Sequence, residues 1–113
     1  MIETCCILVG LAIVLDIITG FTGAWLRDEI SSQKMRIGAM HKLGEVFAVV
    51  LCIYVDQAQA VLNLGFDIPM LQATTAYLVV MELLSIAENI GKMNPELSAA
   101  PIFKKLQDLK TKQ

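Results

Sequence analysis

Three carboxylates stand inside otherwise apolar runs of this chain: Asp16, Asp56 and Glu82. In such surroundings an acid can carry a proton, pair with a cation, hydrogen-bond a neighbouring helix or line water. The stretch YLVVMELLSIAEN, Tyr77 to Asn89, adds Ser85, Glu88 and Asn89 to Glu82 without a lysine or arginine among them. No serine-histidine-acid set, phosphate-cradling glycine loop or metal-ligand spacing accompanies these acids. The single His41 reads as a surface basic residue. Cys5 and Cys6 are adjacent, a poor geometry for a mutual bridge, and Cys52 lies in an apolar run, so all three read as small apolar filler. Neither an enzyme nor a cofactor or metal site is expected. A net charge of −2 offers no field for nucleic acid.

The elements that must position these acids follow from composition. The chain has 113 residues, enough for one domain, and is 56% apolar. Its apolar residues gather in three blocks: Cys5 to Leu26, Val46 to Leu64 and Pro69 to Ala87, with one charge each. At about 1.5 Å per residue each block spans about 28–33 Å, the thickness of a bilayer hydrocarbon core. An all-α membrane protein with three transmembrane helices, over about 5–26, 45–64 and 69–90, is therefore expected. The first block is no cleaved signal peptide: it lacks a basic leading segment, is too long and is followed by two more spans. Its eleven Leu, Ile, Val and Phe residues favour insertion by about 5 kcal/mol in sum, against about 3 for a central aspartate. Insertion wins narrowly, so the acid needs a reason to be there.

Charge outside the blocks orients the spans. Arg27, Lys34, Arg36 and Lys42 lie in the first connection, and Lys92, Lys104, Lys105, Lys110 and Lys112 follow the third block. The N-terminus and the connection around Gly65 hold no basic residue. The positive-inside rule then places the N-terminus out and the C-terminus in, with Trp25 beside Arg27 as an interfacial anchor. Ser31 and Ser32 are helix-cap candidates for a short surface helix running into block two. Gly65 to Pro69 reads as a tight turn, with Pro69 preset for a first helical position. The third helix should stop at Asn94-Pro95. The chain thus divides into a membrane domain, 1–92, and a basic tail, 93–113, whose Ile102, Phe103, Leu106 and Leu109 fit either an amphipathic helix resting on an anionic inner leaflet or a solvated tail.

At about 100° per residue the polar positions fall on faces. In block two, Glu45, Ala48, Cys52, Asp56, Gln59 and Asn63 share a band about 80° wide. In block one, Ala12, Asp16, Thr19, Gly20 and Gly23 form a small-residue face suited to close helix packing. In block three, Glu82, Ser85, Glu88 and Asn89 share one side. No basic residue lies within a block, so ion pairs inside one chain are excluded on this reading. The acids are then either protonated and hydrogen-bonded between helices, or they line water in an oligomer. A stripe that serves only as packing glue, or the acids of a small ion- or proton-coupled carrier, are the alternatives.

Asp16-Ile-Ile-Thr19-Gly20 in a first span, Ser32 to Gly38 to Lys42 in a basic connection, Asp56 in a second span, ELLSIAEN ending a third, then Pro101 and Lys104-Lys105-Leu106, resemble the phage-lysis and toxin-secretion holin family. The intervening IGKMNPELSAAP is longer and richer in helix breakers than the resemblance leads one to expect. The resemblance implies a non-enzymatic protein of the bacterial inner membrane that oligomerises and opens lesions. Through these a wall-degrading lysis enzyme passes, without direct contact being necessary, or a toxin is exported. Combined with the faces above, Glu45, Asp56, Gln59 and Asn63 are expected to face a pore. Glu82, Ser85, Glu88 and Asn89 are expected to line it or make contacts, and Ala12, Asp16, Thr19, Gly20 and Gly23 to pack helices. Trp25, Arg27, Lys34, Arg36, Lys42, Lys104 and Lys105 are expected to anchor the topology. The partners are further copies of the chain and membrane lipid.

Overall fold

The computed structural model describes residues 1–111, which form helices and connections and no strand. Lys112 and Gln113, and the side chains of Ser98, Lys110 and Thr111, lie outside the described residues. Helix α1, Ile2–Leu26, ends where Asp28 takes a left-handed φ of 55°. Helix α2, Ser32–Val61, starts at Ser31, whose hydroxyl accepts a hydrogen bond from the Lys34 amide at 3.4 Å. Helix α3, Met70–Met93, starts after Pro69, which serves as its N-cap. It ends at Asn94, whose amide bonds to the Ile90 carbonyl. A single turn, α4 (Pro95–Ser98), and a tail helix, α5 (Pro101–Thr111), follow. All of α1, α2 and α3 are long and apolar enough to cross a membrane.

The basic connection is the exposed helix expected from the sequence, and it runs without a break into block two. It is the first third of α2, one uninterrupted 30-residue helix. The apolar run begins at Val46 because His41, Lys42 and Glu45 precede it, but nothing in that stretch breaks a helix, and the Ser31 cap starts it much earlier.

Helix α3 is central: α1 runs along it, α2 packs against it, and α1 and α2 scarcely touch. The inward positions repeat at three- and four-residue steps or their sum of seven: Val9, Ala12, Asp16 and Gly23 on α1, Leu71, Thr75, Leu78 and Glu82 on α3. This is the spacing that keeps one stripe of a helix facing its neighbour. Val9, Ile13, Val49, Cys52, Leu71 and Leu78 form the apolar core, which lies toward the α2–α3 turn. Toward the opposite end the bundle opens, and every α2 residue from Ser32 to His41 is exposed. The outer surface is apolar, with Leu11, Val50 and Tyr54 more than half exposed, as lipid contact requires. Between lipid-bathed helices apolar burial supplies little drive, so close packing and interhelical hydrogen bonds must hold the bundle. In the tail, Phe103 and Leu106 of α5 are half-buried while Ile102 and Leu109 are exposed.

Candidate functional site

The polar faces of the three long helices meet at one level. Asp16 lies ten residues before the end of α1, Lys42 ten after the start of α2, and Glu82 eleven before the end of α3. All three are therefore about 15 Å along the helix axes from the open end of the bundle. The Lys42 ammonium donates to Asp16 Oδ2 at 2.5 Å and to Glu82 Oε1 and Oε2 at 2.7 and 2.6 Å. Its three protons meet three carboxylate oxygens, a fully satisfied bridge from α2 to both other helices. Asp16 and Glu82 are 9% and 3% exposed, so the pairs are shielded from solvent.

This corrects the expectation that ion pairs within one chain are excluded. Lys42 acts as the counter-charge rather than only as a topology anchor, because α2 continues below the apolar block and carries it to the depth of the two acids. The signal was present in the sequence. The stripe of Glu45, Cys52 and Asp56 extends backward, at the same three- and four-residue steps, to Lys42, Gly38, Met35 and Ser31.

Around this bridge α1 and α3 are tied directly. Asn89 Nδ2 donates to Asp16 Oδ1 at 3.0 Å and to Thr19 Oγ1 at 3.1 Å, while the Thr19 hydroxyl donates to the Leu15 carbonyl. A β-carbon at Gly20 would lie 3.4 Å from Asn89 Nδ2, and one at Gly23 would lie 3.4 Å from Met93 Cγ. Together with buried Ala12, the small-residue face of α1 thus packs on α3 of its own chain. Near the bridge, Glu45 Oε2 is buried without a hydrogen-bond partner. An unsatisfied buried oxygen costs about 1–3 kcal/mol, more if charged, so Glu45 is the member of the network that would gain from water.

Asp56 is not near mid-span, as the blocks suggested. It sits close to the end of α2 and caps α3, its carboxylate accepting from the Met70 and Leu71 amides at 3.0 and 3.1 Å. A carboxylate at a helix N-terminus satisfies orphan amides and complements the helix dipole. Gln59 clamps the same turn, accepting from the Ile68 amide at 2.6 Å and donating to its carbonyl at 2.9 Å. Asn63 accepts from the amide of Gly65, whose φ of 85° turns the chain. Lys92 pairs with Glu88 at 3.6 Å on the rim, and Ser85 lines the cleft described next. Trp25 is 65% exposed at the end of α1, and Arg27 pairs with Glu29 at 3.1 Å. Lys34, Arg36, Lys104 and Lys105 are exposed.

Where α2 diverges from α1, a cleft of about 460 Å³ runs from Glu29, Ser31 and Lys34 at the open end to Asp16, Lys42 and Asn89 at its floor. Among the described residues no cluster of three histidine, cysteine or acidic side chains could hold a metal.

The model of the bacteriophage holin family matches residues 2–111 of the chain. The chain is also similar to a Bacillus subtilis (strain 168) protein named only as uncharacterized protein YqxH. The two are 28% identical over 100 residues, 88% of this chain and 67% of that one. No solved structure matches.

Proposed function

The chain belongs to the bacteriophage holin family, and from that premise we propose that it assembles in the bacterial inner membrane and opens lesions that release a wall-degrading enzyme. The observation that carries this is the polar network of Asp16, Lys42, Glu82 and Asn89, whose charged members lie about 15 Å inside the open end of three membrane-length helices. A bundle built only to persist in lipid has no need of ionised groups there, because replacing a buried ion pair by apolar side chains is often neutral or stabilising. Held closed, the network hides its charge and the chain accumulates harmlessly. Opened, the same groups are tolerable only against water or another polar face, which drives copies together around a wet hole.

The turn contacts of Asp56 and Gln59 keep α2 and α3 a hairpin, so the movement is separation of α1 from that hairpin. Glu45, Glu82, Ser85, Glu88 and Asn89 then line the aqueous side, with Asp56, Gln59 and Asn63 at its rim. The distribution of basic residues supports an orientation with the N-terminus outside and the tail inside. Expression in bacteria with and without a cytoplasmic wall hydrolase tests this. Abrupt collapse of membrane potential in both, and lysis only with the hydrolase, is expected. Graded, solute-dependent flux without collapse would instead identify a carrier.

A further inference from the structure

The cleft between α1 and the first third of α2 has no occupant within the chain, and in a membrane-spanning bundle a gap at this depth must be filled. We propose that it is a binding site for one anionic phospholipid of the leaflet at the basic end, an acyl chain lying between the helices and the phosphate at Lys34. The walls are Ile17, Phe21, Ala24, Met35, Gly38 and Ala39, all apolar or small. A β-carbon added at Gly38 would meet nothing within 4 Å, so the α2 wall faces open space. At about 460 Å³ the cleft has the size of a small-molecule site.

The α1 wall, Asp16 to Ala24, is about 12 Å long and faces Gly38 and Ala39, small residues that leave room for a hydrocarbon chain between the helices. Charge selects the headgroup. At the mouth Glu29 is engaged by Arg27, and Asp28 lies outside the cleft. The Lys42 ammonium is saturated by three oxygens. That leaves Lys34, which makes no ion pair among the described residues, as the cation available to a phosphate.

The test uses the full chain carrying Phe21→Trp and Trp25→Phe, so that its one tryptophan reports on the cleft. It is reconstituted in vesicles containing acyl-brominated phosphatidylglycerol or phosphatidylcholine at equal mole fraction. Phosphatidylglycerol should associate about fivefold more strongly, the enrichment expected from one basic side chain at an anionic surface. Lys34→Gln should abolish the preference, and Gly38→Phe, which fills the cleft, should reduce quenching by both lipids. Added inorganic phosphate should leave the quenching unchanged. Equal quenching by the two lipids, a preference that survives Lys34→Gln, or displacement by free phosphate would overturn the proposal. So would a tryptophan shielded from both lipids as protein density rises, which would place a second copy in the cleft. Dye trapped in the same vesicles separates the two ideas: release without lipid preference removes the lipid site and leaves lesion formation standing.

Discussion

Lys42→Met keeps an unbranched side chain only one atom shorter and removes its charge, so it isolates the bridge. Glu82 loses the donor to both of its oxygens, and Asp16 loses one donor while retaining Asn89 at 3.0 Å. Lys42, Asp16 and Glu82 have side-chain exposures of 19, 10 and 4%, so little solvent replaces the lost partner. Removing one member of such a buried pair costs about 3–5 kcal/mol. At 1.4 kcal/mol per tenfold, the closed state weakens against the opened one by two to three and a half powers of ten, as an order-of-magnitude figure. In cells, with membrane abundance of the two proteins matched and a potential-sensitive dye as readout, Lys42→Met should depolarise earlier and at lower abundance. Adding Asp16→Asn and Glu82→Gln removes the two carboxylates that the lysine served and should move the onset back toward the parent, since neither side chain then lacks a cation. Unchanged onset in Lys42→Met, or a triple variant as early as the single one, would refute the role given to the bridge.

Glu45→Leu removes the unsatisfied buried oxygen and should stabilise the closed bundle by about 1–3 kcal/mol, read as delayed depolarisation. Asp56→Ala should cost about 0.5–2 kcal/mol and speed hydrogen exchange of the Met70 and Leu71 amides selectively, with the Thr75 amide little affected. Gly20→Ala should be tolerated, because the added carbon meets Asn89 at ordinary contact distance. Gly20→Val should push Asn89 off Asp16 and hasten onset.

Much of this architecture is legible in the sequence, because lipid forces the pattern. Three apolar blocks give three spans, and the small-residue face of Asp16, Gly20 and Gly23 lies where α1 packs on α3. What the sequence hides is the partner of each face. Block boundaries drawn by hydropathy stop at Val46 and leave Lys42 in the surface connection, although a helix is indifferent to the change in polarity and carries the lysine inward. With Lys42 outside, the acids appear to need other copies of the chain for shelter; with it inside, one chain satisfies Asp16 and Glu82 unaided. Asp56 misleads for a different reason. Its place in an apolar run resembles that of Asp16, and only the path of the eight-residue turn brings the amides of Met70 and Leu71 to its carboxylate.

The most direct measurement locks α1 onto α3. A β-carbon at Gly23 lies 3.4 Å from Met93 Cγ, within reach of disulfide geometry. Gly23→Cys with Met93→Cys, in a chain whose Cys5, Cys6 and Cys52 are replaced by alanine, is reconstituted in dye-loaded vesicles. The oxidised protein should insert and hold the dye, and a reductant should start release. Equal release from the oxidised and reduced forms would contradict the opening of the Asp16–Lys42–Glu82 bridge as the event that makes the lesion.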